Sequence, residues 1–134
     1  MLYLEKESNM KKAISTKNAP EAIGPYSQAI LSNDTLYCSG QIAINPKDGS
    51  LVIDNIKNET KQVMKNIEAV LKAADMDFSN IVKCSIFMKN MQDYGEINKI
   101  YAQYFDGLPP AREAVQVSIL PKNVNIEISV IAKH

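Results

Sequence analysis

The segment from residue 55 to residue 74 constrains the fold most, because its apolar residues recur with the period of an α-helix. The apolar side chains of one face are Ile56, Val63, Ile67, Val70, Leu71 and Ala74. The opposite face carries lysines and a glutamate, as expected where a helix borders water. We therefore predict one amphipathic helix that packs against another layer of the fold.

Segments with strand character lie on both sides of this helix. Three β-rich runs precede it, at residues 11–16, 29–32 and 35–43, and a fourth follows at residues 80–88. Two segments with apolar residues at every second position, 112–119 and 124–132, close the chain. They are predicted to be the last two strands.

A second helix is predicted after residue 88. Asn90, with Asp93 three residues later, is typical of a capped helix start, and Asp106 with Gly107 marks the end. Its predicted buried side consists of Tyr94, Ile97, Tyr101, Tyr104 and Phe105. We interpret this stripe as core, the alternative being the wall of a ligand pocket.

The element order β-β-β-α-β-α-β-β predicts a single α+β domain, a mixed β-sheet with two helices on one face. The domain should cover residues 11–134, after a flexible N-terminal extension of residues 1–10. We expect the apolar faces of the last two strands to lie beneath the helices. The side chains expected on the other face are Arg112, Ala114, Gln116, Glu127, Ser129 and Ile131.

That mixed face predicts an oligomer, because a sheet face that is neither helix-covered nor fully polar is often buried by another subunit. Arg112 and Glu127 should then lie at or near the interface. If they share a face of neighbouring strands, they form an ordinary ion pair. Alternatively, Arg112 holds a substrate carboxylate while Glu127 handles a proton or a water. The pattern alone leaves both readings open.

Arg112 is the only arginine among fifteen basic residues. A guanidinium can grip a carboxylate with two parallel hydrogen bonds, which a lysine cannot reproduce. The formal net charge is zero and no basic run exceeds two residues, so we expect no nucleic-acid partner. The only histidine is the last residue, His134, which argues against histidine-based catalysis.

Other features of the sequence argue against cofactors and membranes. No cysteine or histidine spacing resembles a zinc site, and the five glycines form neither a GxGxxG motif nor a P-loop. We therefore predict no metal and no cofactor. With no membrane-length apolar stretch and no signal peptide, the protein should be cytoplasmic. Cys38 and Cys84 should be reduced thiols with packing roles.

Five stretches follow one another along the chain: NAPEAIGPYSQAI, YCSGQIAINPKDG, NIVKCSIFMKNMQDYGEIN, PPAREAVQVSILPK and VNIEISVIA. Together they resemble the RidA (YjgF) family of reactive imine and enamine deaminases. The resemblance extends from about Lys11 to Ala132, and the ordered set is far more specific than any single stretch.

The resemblance implies a chorismate-mutase-like fold and a homotrimer with ligand sites between subunits. It also implies hydrolysis of 2-iminobutanoate and 2-iminopropanoate, which dehydratases that use pyridoxal phosphate release, to 2-oxo acids and ammonia. By this resemblance Arg112 matches the arginine that binds the substrate carboxylate, and Glu127 matches the glutamate associated with the catalytic water. The matched substrate-binding positions are Tyr26, Gly40, Asn98 and Ala114.

Three positions depart from the family pattern. Ala114 stands where many members have cysteine, but only the backbone there need contact substrate. Ser129 replaces the second glutamate of the usual IEIE motif. Pro109 stands where phenylalanine is frequent, which could reshape the pocket wall and change the accepted substrate size.

Two other functions remain open at this stage. The same trimeric site could bind a small carboxylate and report it to a partner, and Glu127 would then matter much less than Arg112. Endoribonuclease activity is also attributed to members of this family. Zero net charge, no functional histidine and no basic stripe count against it.

Overall fold

The computed structural model describes residues 11–134, and the extension predicted for residues 1–10 lies outside the described residues. The strands are β1 (Lys12–Ile14), β2 (Ala29–Ser32), β3 (Thr35–Gln41), β4 (Ile81–Met88), β5 (Ala111–Gln116) and β6 (Ile126–Lys133). The α-helices are α1 (Ile56–Ala73) and α2 (Tyr94–Ala102). Short 3₁₀ helices cover Phe78–Asn80, Met91–Asp93 and Pro121–Asn123. The predicted α+β class and element order are confirmed.

The six strands form one mixed sheet in the order β1-β2-β3-β6-β4-β5. β4 and β5 are parallel, and every other neighbouring pair is antiparallel. The parallel pair is joined through α2, since parallel strands need a crossover connection. The last strand, β6, lies between β3 and β4, so β4 separates β5 from β6. Arg112 and Glu127 therefore do not stand on neighbouring strands.

α1 is the amphipathic helix that the sequence predicts. The Asn55 side chain caps it by accepting a hydrogen bond from the backbone N–H of Asn58 at 2.8 Å. The apolar side chains of α1 that are fully buried include Val63, Ile67, Val70 and Leu71. They form one core with the inner face of the sheet, which contributes Leu36, Ile86, Ile126 and Ile128.

The second helix is present as predicted, but it begins at Tyr94 and ends at Ala102, before the predicted stop at Asp106 and Gly107. Asn90 caps a 3₁₀ turn by accepting from the backbone N–H of Gln92 at 2.9 Å, and the α-helix begins at Tyr94. Ile97 and Tyr101 are buried, as predicted. Tyr94 is 37% exposed, so its assignment to the buried stripe is wrong. Its hydroxyl has a polar partner at the sheet edge, described below.

The face assignment is correct for β6 and reversed for β5. Ile126, Ile128 and Val130 are buried beneath the helices, as predicted. In β5, however, the register places Arg112 beside Cys84 and Ala114 beside Ile86, and both partners belong to the helix-covered face. The apolar residue Val115 is instead 42% exposed, and Ile119, which was predicted to belong to this strand, lies beyond its end at Gln116 and is 68% exposed.

The reversal has a physical cause, because β5 is the edge strand and borders solvent. There a long polar side chain can lie under α2 and still reach water, while an apolar one gains less from facing the helices. Gln116 likewise turns toward the helix layer, where it accepts a hydrogen bond from the backbone N–H of Met91 at 2.8 Å. Arg112 and Glu127 consequently lie on opposite faces of the sheet.

Both cysteines are free and buried in the core. Burial, with the nearby Cys84 as a smaller cause, raises the pKa of Cys38 to about 12. Burial also raises the pKa of Cys84. Both thiols are thus kept neutral, consistent with packing roles. Among residues 11–134, no helix has the length and apolar character needed to cross a membrane.

Candidate functional site

Arg112 is held by side chains from one face of α2. Its Nη1 donates to Oδ1 of Asn98 at 2.7 Å, and its Nη2 donates to the Tyr94 hydroxyl at 2.8 Å. The guanidinium carbon also lies 5.6 Å from the Tyr94 ring centroid and 4.9 Å from that of Tyr101. Residues 94, 98 and 101 share a helix face because they are four and three positions apart. The guanidinium is therefore oriented, while further N–H donors remain for a ligand.

Tyr101 extends this cluster into the core. Burial is the main reason that the pKa of Tyr101 is raised, and the neighbouring Cys84 raises it further, while Arg112 opposes the shift. The hydroxyl is buried and makes no hydrogen bond of acceptable geometry within residues 11–134, although Cys84 and Arg112 lie near it. The uncharged phenol of Tyr101 thus packs against the Arg112 guanidinium on the side of the core.

Arg112 opens into a cleft of about 670 Å³ between α2 and the segment that precedes β5. The walls include Asn98, Tyr101, Phe105, Gly107, Pro109 and Pro110. Pro109 therefore lines the same cleft as Arg112. The presence of proline at this position, where phenylalanine is frequent in the family, therefore affects the space beside the Arg112 guanidinium.

Glu127 lies across Gly40 on the face of the sheet opposite to the helices. A Cβ built on Gly40 would come within 2.8 Å of Cδ of Glu127, closer than real Cβ atoms approach, and within 3.1 Å of its Cγ, which is a tight contact. Only glycine leaves room for the glutamate in this position. Partial burial raises the pKa of Glu127. The carboxyl group is thus better able to exchange a proton near neutral pH than an exposed glutamate.

The loop that carries Tyr26 is held beside Glu127 by hydrogen bonds from two polar side chains, those of Gln28 and Ser39. The buried Gln28 accepts from the backbone N–H of Thr16 at 2.7 Å and donates to the Thr16 carbonyl at 3.0 Å. The Ser39 hydroxyl donates to the carbonyl of Ser27 at 2.6 Å. These bonds place Tyr26 at the border of a second cleft of about 600 Å³. That cleft is lined by Ile23, Tyr26, Ser39, Gly40, Lys122 and Glu127, among others.

The six predicted site residues fall into two sets within one chain. One set is Arg112, Asn98 and Ala114, on the helix-covered face near the sheet edge. The other set is Tyr26, Gly40 and Glu127, around the second cleft. Arg112 and Glu127 line different clefts on opposite faces, so one chain does not offer both groups to the same small ligand.

Sequence reasoning missed several residues that shape the two clefts. Tyr94 was assigned to the core, yet it binds Arg112. The spacing of Tyr94, Asn98 and Tyr101 on one helix face was a usable signal, because a core stripe rarely contains an asparagine. Gln28 and Ser39 were missed because their roles depend on backbone groups of a loop whose path the sequence does not reveal.

The two clefts suit a small anionic ligand and proton transfer. The first offers a planar cation and the second a carboxyl group with a raised pKa. No group of three or more histidine, cysteine, aspartate or glutamate side chains that could hold a metal ion occurs in the described part of the chain. Fold and clefts together define a small-ligand-binding α+β protein.

Comparison with known proteins identifies the family. A sequence profile described as endoribonuclease L-PSP matches residues 16–134, so the chain belongs to this family, which is the RidA (YjgF) family that its motifs resemble. Among solved structures, the Rid-family protein YyfA from Yersinia pestis is 54% identical, with a TM-score of 0.90 over 92% of this chain and 99% of that one.

Two curated relatives carry different functional names. The 2-iminobutanoate/2-iminopropanoate deaminase of Mus musculus is 47% identical over 125 residues, which cover 93% of each chain. The putative regulator AldR of Lactococcus lactis is 52% identical over 122 residues, 91% of this chain and 97% of that protein. The family is therefore certain, and the relatives' names point to two kinds of activity.

Proposed function

We propose that the protein is a 2-iminobutanoate/2-iminopropanoate deaminase, which hydrolyses reactive imines and enamines to 2-oxo acids and ammonia. The observation that carries the proposal is the oriented Arg112 guanidinium in one cleft together with the Glu127 carboxyl of raised pKa in the other. The mouse relative named for this reaction aligns over nearly the whole chain.

In the proposed reaction, Arg112 binds the substrate carboxylate with two parallel hydrogen bonds. The adjacent C=N carbon is then held in a defined position beside Glu127. Glu127 orients a water molecule, whose oxygen adds to that carbon while its proton passes to the imine nitrogen. The hydroxyl proton of the resulting carbinolamine then passes to the amine nitrogen as the C–N bond breaks, which gives a C=O group and ammonia. Atoms and charge balance without a cofactor.

The separation of the two clefts supports a site made by two chains. Arg112 of one subunit would face Glu127, Gly40 and Tyr26 of the next. Because this contact joins two different surfaces, it repeats head to tail, and a closed assembly of this kind is a ring. We propose that the ring is a homotrimer, in which the uncovered face of the sheet is buried. The exposed side chains of Tyr37 and Val115 fit such an interface.

A second candidate is a trimeric binding protein that senses a small carboxylate. The 52% identity to the putative regulator AldR is the observation that favours it. In that case Arg112 would still bind the ligand, but Glu127 would contribute little. Loss of binding in Arg112→Ala with full binding in Glu127→Gln fits both functions, so the reaction itself must be measured.

A coupled assay tests the proposal. A dehydratase that uses pyridoxal phosphate generates 2-iminobutanoate, and loss of imine absorbance is followed with and without the purified protein. We expect faster loss with the wild type and the uncatalysed rate with Arg112→Ala. An unchanged rate with folded wild type, combined with 2-oxobutanoate binding, would favour the sensor. An RNA-cleavage assay on the same preparation should be negative.

A further inference from the structure

Glu59 is a buried carboxylate that the proposed reaction does not use. It lies near the start of α1 and its exposed fraction is 0%. None of the salt bridges among residues 11–134 includes it. A buried carboxylate is tolerated only where hydrogen-bond donors replace its hydration. The hydrogen-bond donors around the Glu59 carboxylate therefore identify the segment of the chain that this residue holds in position.

All three hydrogen bonds to Glu59 come from the start of β6. Its Oε2 accepts from the backbone N–H groups of Asn125, at 2.7 Å, and Ile126, at 3.2 Å. Its Oε1 accepts from the side-chain amide of Asn125 at 2.7 Å. The partners are 66 and 67 residues away along the chain. One side chain of the helix layer thus fixes the beginning of the central strand.

Glu127 follows directly after these bonded residues. The preceding turn also belongs to the Glu127 cleft, which Pro121 and Lys122 line. In that turn Lys122 and Asn123 have φ of 54° and 55°. Asparagine adopts this left-handed conformation readily, but for Lys122 it is unfavourable and persists only when the surrounding structure supports it. Glu59 binds the backbone immediately after this strained turn.

We propose that Glu59 is a positioning residue for Glu127. By fixing the backbone of Asn125 and Ile126, it sets the direction in which the Glu127 carboxyl crosses Gly40. The inference deepens the proposed imine hydrolysis and rests on it for its kinetic test. Because the carboxyl must meet a water and a carbon in defined positions, a small displacement of β6 should lower kcat strongly.

Two substitutions of Glu59 distinguish the effect of side-chain length from the effect of charge. Glu59→Asp keeps the charge but shortens the side chain, so it should withdraw from β6 and lower kcat about 10-fold, with KM changed less than about 3-fold. Glu59→Gln loses the charge but keeps the reach, since its amide oxygen can accept both backbone bonds and Asn125 can rotate its own amide. It should keep kcat close to that of wild type.

Two further variants provide the controls. Thr60→Val removes a hydroxyl that is equally buried and adjacent, but that bonds only to the Ile56 carbonyl within α1. It should leave kcat unchanged. Asn125→Ala removes one of the three bonds from the turn side and leaves the buried surface of α1 intact. It should fold and lower kcat about 3-fold.

Amide hydrogen exchange provides a readout that does not depend on catalysis. Exchange in residues 121–129 should be faster in Glu59→Asp than in wild type, while exchange within α1 is unchanged. If wild type clears imine but folded Glu59→Asp and Asn125→Ala keep wild-type kcat, the positioning role is wrong. If Glu59→Asp does not fold, wild-type kcat in Asn125→Ala alone overturns it. If wild type clears no imine, the proposed function fails, and exchange in residues 121–129 alone decides the positioning role.

Discussion

At the scale of single residues, Gly40 and Glu127 depend on each other. The glutamate occupies space that any side chain at position 40 would fill. The resemblance to the RidA family marked Gly40 as a pocket position, and the structure supplies a reason why that position carries no side chain. The same scale includes Arg112, whose guanidinium needs Tyr94 and Asn98 to hold its direction.

Gly40→Ala should lower kcat at least about 10-fold, because the new Cβ displaces the Glu127 carboxyl from its position. Gly95→Ala is the matched control. Nothing lies within 4 Å of a Cβ at position 95, and alanine favours the helix there by about 1 kcal/mol. Imine clearance is measured for both variants. Equal clearance by Gly40→Ala and wild type would mean that the reaction does not depend on the position that the Glu127 carboxyl takes beside Gly40.

Arg112→Lys should lower kcat/KM about 10–100-fold, because lysine keeps the charge but loses one charge-assisted hydrogen bond and the fixed direction. Arg112→Ala should lose more. Imine clearance and 2-oxobutanoate affinity are measured after each variant has been checked for folding and oligomer mass. Near wild-type clearance by Arg112→Lys would mean that the lone arginine does not act through a bidentate grip.

The pH dependence should reflect the raised pKa of Glu127. If the carboxylate orients the water, kcat falls as the pH decreases through that pKa, above the ordinary glutamate value of about 4.3. Glu127→Gln should lower kcat and abolish this acidic limb, with little change in 2-oxobutanoate affinity. A pH profile that is the same in wild type and Glu127→Gln would assign the limb to another group.

The raised pKa of Glu127 should affect kcat and stability in opposite directions, because kcat falls as the pH decreases whereas the free energy of unfolding falls as the pH rises. Since burial raises the folded pKa above the unfolded one, the folded state holds the proton more tightly. This contribution to the free energy of unfolding is fully present below the unfolded pKa and is lost as the pH rises through the folded pKa. Denaturant unfolding of wild type and Glu127→Gln across that window measures it.

At the scale of elements, α1 and β5 differ in how far their own residues determine them. α1 has a capping asparagine and an apolar face that is buried on the sheet, so its local signals agree with its packing. β5 has the alternation of a strand but lies at an edge, where both faces reach solvent. Its edge position allows the reversed orientation, and the hydrogen bonds between Arg112 and α2 stabilise it.

Asn55→Ala should lower the free energy of unfolding by about 1 kcal/mol, because the N–H of Asn58 loses its capping partner. Lys57→Ala, in the same helix turn, should change stability by less than about 0.5 kcal/mol. Urea unfolding measures both. Neither change touches the clefts of Arg112 or Glu127, so kcat of the folded protein should be unchanged.

Replacing Cys38 and Cys84 by alanine should lower stability by about 1–3 kcal/mol for each site, because both side chains are buried in the core. The chemistry of correctly folded protein should remain, since the mechanism uses neither thiol. Thermal unfolding and imine clearance test the two parts separately. Loss of turnover in a folded double variant would contradict the packing assignment.

At the scale of the whole molecule, the position of the two clefts on opposite faces is the strongest argument for assembly. Light scattering at micromolar concentration should give about three times the chain mass of 14.9 kDa. A monodisperse monomer that still clears imine would contradict a site shared between subunits.

Mixed oligomers test which chain supplies which residue. Arg112→Ala is expected to be inactive and Glu127→Gln to be strongly impaired, but a one-to-one mixture assembled together should regain about one quarter of wild-type activity. That fraction follows because a complete site needs an intact Arg112 from one subunit and an intact Glu127 from its neighbour. No recovery from a mixture shown to contain hybrid oligomers would place both residues in sites within one chain.

The element order, the α+β class and the family could all be predicted from the amino-acid sequence. Helix period, strand alternation and capping residues are local signals, and they predicted α1, β4 and β6 to within one or two residues. The five ordered motifs led to the same family that the sequence profile matches. These features depend on short-range preferences and on which face of each central element must be buried.

Which candidate residues lie close together, in contrast, depends on how distant segments pack in three dimensions. Placing β6 between β3 and β4 separated Arg112 from Glu127, and the register of β5 against β4 turned Arg112 toward α2. Strand order and edge positions arise from packing among segments far apart in the chain. No local pattern records them, so neither the two separate clefts nor the bonds of Glu59 to β6 could be predicted from the residues alone.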